Sequence, residues 1–133
     1  MSFLSAFNTS VSGMTAQRQR VNTISENIAN AETTRTPQGG PYRRREVILA
    51  SVANDRTFEE ELLSQDRSVS TSTEVKVVGI VQDERPPILR FEPGHPDANE
   101  EGYVEMPNVN IMEEMVNLMS ANRSYEANTA AFN

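Results

Sequence analysis

The charged and nucleophilic side chains of this 133-residue chain do not have the spacing of a catalytic site. The carboxylates at 59–61 and 100–101 form solvated runs without the apolar surroundings that turn one carboxyl of a pair into a general acid. His95 is the one histidine, whereas metal and acyl-transfer sites need further ligands or an oriented nucleophile. Cysteine is absent, which excludes a disulfide framework and a thiolate site. We therefore expect no enzyme activity, no cofactor and no metal.

A glycine pair and three arginines follow one another near the middle of the first half. Gly39-Gly40 lacks the spacing of a phosphate-binding loop. Arg43, Arg44 and Arg45 either bind an acidic neighbour through their guanidinium forks or are simply solvated. Residues 1–45 carry six Arg against two Glu, and residues 46–133 carry six basic against 17 acidic residues. This asymmetry either favours head-to-tail contact between copies or relatives, or reflects two faces that are simply solvated. The acidic excess argues against a nucleic-acid partner.

Two stretches at opposite ends of the chain repeat apolar residues at alternating steps of three and four, the period of an apolar stripe along a helix. The first comprises Leu4, Phe7, Val11, Met14, Val21 and Ile28. The second comprises Ile111, Met115, Leu118, Tyr125 and Phe132, with Asn122 and Thr129 as polar members that would set the register. Met106, Met112, Met115 and Met119 cluster here, and they suit either an adaptable interface or an ordinary core. Each stripe needs a cover, either the chain's own second helix or the helices of neighbouring subunits.

The remaining sequence predicts a small β insert between two helices. Residues 3–30 read as a helix that ends in a turn-rich linker over 32–41. Strands are predicted over 42–52, over 74–82 with a bulge near Val78 and Gly79, and over 88–92 and 102–106. Residues 74–92 pair either as a hairpin or as two bent strands. An acidic loop covers 53–72, with a short helical turn at 58–63, and Asn108 or Asn110 caps a helix over 109–132.

The predicted fold class is therefore α+β, with long N- and C-terminal helices packed as an antiparallel, coiled-coil-like pair. The boundaries are 1–31 for the N-terminal assembly helix, 32–41 for the linker, 42–106 for the β insert and 107–133 for the C-terminal assembly helix. No segment has the length of a membrane span, so we expect no direct membrane insertion. The N-terminus also lacks the pattern of a cleaved signal peptide.

Several segments resemble the signatures of bacterial flagellar rod and hook proteins. Residues 21–31 (VNTISENIANA), followed by Thr33, resemble the N-terminal signature of that family, and residues 42–44 resemble the stretch after it. The C-terminal signature is resembled by residues 103–109 (YVEMPNV), 114–116 (EMV), Met119 and 123–128 (RSYEAN). The turn at 92–99 before Gly102-Tyr103 is similar to that of the proximal-rod members.

This resemblance implies a structural subunit of the proximal rod that polymerises through its terminal helices and transmits torque from motor to hook. It implies export by the flagellar type III apparatus without signal cleavage, and assembly in the periplasm with copies of itself and other rod proteins. The terminal helices would form the inner tube, and the β insert would face outward. The C-terminal helix of the family continues for several turns, so a chain that stops at Asn133 is either truncated or an unusual member of the family.

The periodicity and the resemblance together predict one set of assembly-interface residues: Leu4, Phe7, Val11, Met14, Val21, Ile24, Ile28, Asn30, Tyr42, Arg43, Arg44, Ile111, Met115, Leu118, Met119, Asn122, Tyr125 and Phe132. The alternative hypothesis is a soluble helical adaptor or export chaperone that binds a client helix. A carboxylate-based wall hydrolase is a more distant alternative, since it would need two carboxylates that meet in a cleft.

Overall fold

Two long helices frame the fold. The structure is a computed structural model that describes residues 3–53, 62 and 73–132. Helix α1 spans Phe3–Ala29 and helix α2 spans Ile111–Ala130. The side chain of Asn110 caps α2 by accepting from the backbone N–H groups of Met112 and Glu113, at 3.1 and 3.4 Å. Both predicted helices are confirmed to within two residues at each end.

The helices pack antiparallel. The rings of Phe7 and Phe132 lie 4.4 Å apart, centroid to centroid, at one end of the pair. At the other end, Asn27 Nδ2 donates to Glu114 Oε2 at 3.2 Å. The N-terminal end of α1 therefore lies beside the C-terminal end of α2, and the predicted α+β class with an antiparallel helix pair is confirmed.

The β insert consists of two separate antiparallel ribbons. Strand β1 (Arg45–Ala53) pairs with β2 (Thr73–Gln82), and β3 (Ile88–Phe91) pairs with β4 (Tyr103–Met106). The register places Ile48 opposite Gly79 but Leu49 opposite Val77, so Val78 is the extra residue of a β-bulge, as predicted.

The hairpin alternative for residues 74–92 is wrong. Strand β2 pairs along its whole length with β1, and β3 pairs with β4 instead. Pro86 and Pro87 lie between the two strands and lack N–H donors, so β2 and β3 cannot run on as one continuous strand. Residues 74–92 instead contain two separate strands, β2 and β3, as the other alternative predicted.

The β1–β2 ribbon runs along α1. At its open end, the Asn27 side chain bonds the backbone of Arg45, and at its tip Thr9 Oγ1 donates to the carbonyl of Thr73 at 2.9 Å. Between them, Val75 N–H donates to Ser12 Oγ at 3.1 Å. A nine-residue strand is about 30 Å long and 18 helical residues span about 27 Å, so the two elements match in length.

Gly102 closes the loop between β3 and β4 with a φ of +86°, and a Cβ built there would lie 2.9 Å from Phe91 Cε2. We predict that Gly102→Ala lowers the free energy of unfolding by at least about 1–2 kcal/mol, because an L residue is strained at positive φ. Gly94→Ala in the same loop is the control, since its Cβ meets nothing within 4 Å. Urea denaturation of both variants measures the difference, and equal stabilities would contradict the prediction.

Apart from residues 53 and 62, the predicted acidic loop over 53–72 and its helical turn at 58–63 lie outside the described residues. No helix within the described part of the chain is long and apolar enough to cross a membrane.

Candidate assembly surfaces

The contact between α1 and α2 is made by small and polar side chains. Ala16 of α1 and Ala121 of α2 are buried, and a Cβ added to Gly13 would lie 3.0 Å from Asn128 Nδ2. Members of the predicted apolar stripes meet within the chain near its ends, where the Phe7 ring contacts the Phe132 ring and Thr129 Oγ1 donates to Met14 Sδ. Small residues bring the two backbones close together, and most large apolar side chains are left for other surfaces.

A buried polar hub joins the two helices to the β insert, and it consists of Asn27, Tyr42, Arg44 and Glu114. Asn27 makes all four hydrogen bonds open to an amide: its Oδ1 accepts from Tyr42 Oη at 2.8 Å and Arg45 N–H at 2.9 Å. Its Nδ2 donates to the Arg45 carbonyl at 2.8 Å and to Glu114 Oε2 at 3.2 Å. The side chain therefore pairs with the first residue of β1 much as a neighbouring strand would.

Glu114 is fully buried in the first turn of α2, where it accepts from Arg44 Nε through its other carboxylate oxygen. Burial lowers the pKa of the Arg44 guanidinium, but the hydrogen bond to Glu114 and the attraction of nearby carboxylates outweigh it, so that pKa is raised. Burial also raises the pKa of the Tyr42 phenol, which stays neutral and donates to Asn27. The hub is a charge-assisted, satisfied network that fixes how the helices meet the insert.

Asp83 extends the hub to the segment after β2. Its carboxylate accepts from Arg85 Nη2 at 2.7 Å and from Arg85 N–H at 3.0 Å, and Arg44 Nη1 lies 3.5 Å away. The side-chain bond to Arg85, the backbone bond and the two cationic charges lower the pKa of Asp83 from 3.8 to about 2. Asn108 completes the joint, because its Oδ1 accepts from Arg44 N–H at 2.9 Å and its Nδ2 donates to the Arg85 carbonyl at 2.9 Å.

The depressed pKa of Asp83 predicts an acid-sensitive stability. A carboxyl with a lowered pKa in the folded state stabilises that state above its unfolded pKa, and the contribution is lost as the pH falls from about 3.8 to about 2. Asp83→Asn should therefore have a lower free energy of unfolding than the parent chain above pH 4. This difference in free energy should shrink as the pH falls towards 2. Urea unfolding across this range, with Glu84→Gln as an exposed control, measures the effect. A difference in unfolding free energy that does not change with pH would refute the prediction.

The apolar side chains near the chain ends form a terminal patch, which we define as Leu4, Phe7, Val11 and Phe132. Leu4 is 70% exposed, and Phe7, Val11 and Phe132 are between 36% and 44% exposed although the two rings touch. A solvated cluster of this kind on a single subunit is typical of a surface that another protein covers.

A second apolar surface, the α2 ridge, consists of Met112, Met115, Val116 and Met119, which are between 48% and 73% exposed. Glu114 and Ala121, which face α1, each lie two residues from a ridge methionine and so point about 200° away from it around the helix. The ridge is therefore on the side of α2 opposite its intramolecular partner.

The predicted interface residues divide into three groups in the structure. Ile24, Tyr42 and Arg44 are buried within the subunit, where they hold the helices and the insert together. A second group, half-buried, consists of Met14, Val21, Ile28, Asn30 and Leu118. The exposed group consists of Leu4, Phe7, Val11, Arg43, Ile111, Met115, Met119, Asn122, Tyr125 and Phe132. Asn122 is thus a surface residue, and the buried polar positions that fix the helix register inside the chain are Asn27 and Glu114.

Some functional positions were not assigned from the sequence. Asn27 and Glu114 lie in segments that resemble the family signatures, but neither was predicted to have a role. Val116 lies off the predicted ladder, and Met112 was predicted only as a member of the methionine cluster. A signal for Glu114 exists in retrospect, because it occupies the same helical face as Ala121 and Asn128 at a spacing of seven. No group of three or more potential metal ligands occurs among the described residues.

Comparison with known proteins identifies both ends of the chain. The family described as "Flagella basal body rod protein" matches residues 7–35, and that described as "Flagellar basal body rod FlgEFG protein C-terminal" matches residues 100–133. The flagellar basal-body rod protein FlgC of Borreliella burgdorferi is 42% identical over all of this chain and 90% of its own length. The FlgC proteins of Bacillus subtilis and Escherichia coli are 44% and 38% identical, again over the whole chain and 91% and 90% of their own lengths.

The chain belongs to the FlgC family of flagellar basal-body rod proteins. The resemblance seen in the terminal signatures is thereby confirmed. The first matched stretch contains α1 from Phe7 onward and the start of the linker, and the second contains β4 and α2. The matched stretches therefore include Asn27 and Glu114, the two helical members of the hub. In this FlgC relative the β1–β2 ribbon lies between the two matched stretches.

Proposed function

We propose that this chain is a structural subunit of the flagellar proximal rod that polymerises through α1 and α2 and transmits torque. The observation that carries the proposal is the exposure of apolar side chains on both terminal helices, in the terminal patch and on the α2 ridge. Burying one large apolar side chain contributes about 1.5–3 kcal/mol, so covering these eight residues can offset a large loss of freedom on assembly.

The polar hub gives the subunit the stiffness that torque transmission requires. Hydrogen bonds of at most 3.2 Å connect the helix pair to the insert at the end of the pair that carries Asn27. They are made by the side chains of Asn27, Arg44 and Glu114. Because a closed network of charge-assisted bonds resists rotation of one element against another, a load applied to the insert passes directly into the helices.

The proposal places the subunit in the periplasmic part of the basal body, reached through the flagellar type III apparatus without signal cleavage. Its partners are copies of itself and other rod proteins. The FlgC relatives, which are named as flagellar basal-body rod proteins, support the basal-body part of this proposal.

Fractionation of cells that produce an epitope-tagged chain tests the proposal. A rod subunit co-purifies with detergent-extracted basal bodies and restores motility to cells that lack their own copy. A soluble adaptor or export chaperone stays in the cytoplasmic fraction at a small fixed stoichiometry, and that result would refute the rod assignment.

A further inference from the structure

A small polar pocket lies where α1, α2 and the start of β1 meet. Its volume is about 70 Å³, and its lining includes Arg20 and Thr23 of α1, Glu46 of β1 and Asn117 of α2. This is twice the roughly 30 Å³ that a water molecule occupies in the liquid, so the pocket admits one small group and excludes a sugar ring or a nucleotide.

Three side chains on the pocket have hydrogen-bond donors that meet no acceptor within residues 3–53, 62 and 73–132. Thr23 is only 3% exposed, yet its hydroxyl makes no hydrogen bond there. Other helical threonines, such as Thr15 and Thr129, donate to the carbonyl four residues earlier at 3.0 Å. The half-buried Arg20 guanidinium and Asn117 amide likewise have no partner among the described residues. Because an unpaired donor is costly to bury, this convergence indicates a site for an acceptor group.

The carboxylates around the pocket are engaged by two further arginines that line it, Arg44 and Arg45. Glu46 Oε2 lies 3.6 Å from Arg44 Nη1, and the buried Glu114 accepts from Nε of the same guanidinium. Glu26 Oε2 lies 3.8 Å from Arg45 Nη1. The pocket therefore has no strong positive field, and its selectivity depends on the unpaired guanidinium and the two neutral donors.

These three donors fit a single carboxylate. The planar guanidinium of Arg20 can donate two parallel N–H bonds to the two oxygens of a carboxylate, and the Thr23 hydroxyl and the Asn117 amide can supply further bonds. One unpaired cation balances the single charge of a carboxylate, whereas a phosphate group carries a charge of about −1.5 to −2.

A neighbouring subunit is the source that can fill the pocket. A free carboxylate has three heavy atoms, so even at the highest efficiency of small ligands its Kd is about 1 mM or weaker. On a side chain of a docked subunit, the same group is present at an effective concentration of millimolar order. A copy of this chain exposes such side chains, for example Glu100, Glu101 and Glu126.

We propose that this pocket binds one Asp or Glu carboxylate of a neighbouring rod subunit, with Arg20 as its ionic partner. The inference rests on the proposed function, since it assigns a specific contact between subunits of the rod.

Zero-length crosslinking with a carbodiimide tests the contact, because this reagent joins an amine only to a carboxylate that touches it. The chain contains one lysine, Lys76, so the background is low. Cells that lack their own copy produce the Arg20→Lys chain, and their purified basal bodies are treated with the reagent. Mass spectrometry should find position 20 joined to an acidic residue of another subunit.

Arg18→Lys is the matched control, because Arg18 is exposed and points about 200° away from Arg20 around α1. The yield of links between subunits should be at least about tenfold higher for Arg20→Lys, since a bound carboxylate has a high effective concentration.

Incorporation into basal bodies gives a second measurement. Arg20→Gln should leave the urea midpoint of the isolated chain unchanged, because Arg20 has no partner among the described residues. Its incorporation should fall at least about tenfold, since a charge-assisted hydrogen bond to the neighbouring subunit is lost. Arg18→Gln should change neither quantity.

Normal incorporation of Arg20→Gln, or a yield of links between subunits no higher than that of the control, would overturn the carboxylate site and leave the rod function standing. Links confined to a single chain would do the same, because the chain would then fill its own pocket. A Kd for sodium acetate well below 1 mM in the isolated chain would show that a free carboxylate is the ligand instead. Absence of the parent chain from basal bodies would overturn both proposals.

Discussion

Glu114→Ala should lower the free energy of unfolding of the isolated chain by about 3–5 kcal/mol, the cost of breaking a buried ion pair by removing one partner. The substitution leaves the Arg44 guanidinium buried and takes one acceptor from Asn27 Nδ2. A loss of this size approaches the whole stability of many small domains. Urea denaturation followed by circular dichroism measures it.

Glu113→Ala is the matched control for this prediction, because Glu113 is the exposed neighbour in the same helical turn. Its substitution should change the unfolding free energy by less than about 0.5 kcal/mol. If Glu114→Ala also costs less than about 1 kcal/mol, the hub does not hold the helices to the insert.

Met115→Asp should leave the subunit folded and prevent it from joining the rod. Met115 is 48% exposed on the isolated subunit, so the unfolding free energy should change by less than about 0.5 kcal/mol. At an assembled interface the carboxylate loses its water, a penalty of at least about 3 kcal/mol per copy. Because 1.4 kcal/mol is a factor of ten, incorporation into basal bodies should fall roughly a hundredfold.

Quantitative immunoblotting of purified basal bodies, with swimming assays on the same strains, measures this loss. Ala127→Asp places the same charge on an exposed position of α2 beyond the ridge and should incorporate much better. Normal incorporation and motility with Met115→Asp would show that the ridge is not an interface.

The elements of this fold could be predicted because their signals are local. The alternation of three- and four-residue steps identified α1 and α2, and the change of phase at Val78 identified the bulge. Strand pairing is non-local, and periodicity alone does not tell whether β2 returns to β1 or continues into β3. The interruption at Pro86-Pro87 was visible in the sequence, but its effect on pairing needed the structure.

The candidate site was harder to predict. An amphipathic pattern assigns polar residues to the solvent side, so Asn27 and Glu114 could not be placed in the helix contact without knowing that they meet across 87 residues of sequence. The apolar ladder of α2 was correct in period, but the face towards α1 carries Glu114, Ala121 and Asn128. The most exposed large apolar side chains of α2, those of Met112 and Val116, therefore lie one helical position off the ladder.

The most direct measurement of the central claim is the accessibility of a thiol at position 115, before and after assembly. Met115→Cys should react with a water-soluble maleimide in the isolated chain and be protected at least about tenfold in purified basal bodies, because apolar surface at an interface is packed as densely as a protein interior. Gln82→Cys, exposed on the β insert, should react in both states. Equal reactivity of position 115 in the free chain and in the basal body would contradict assembly through the helices.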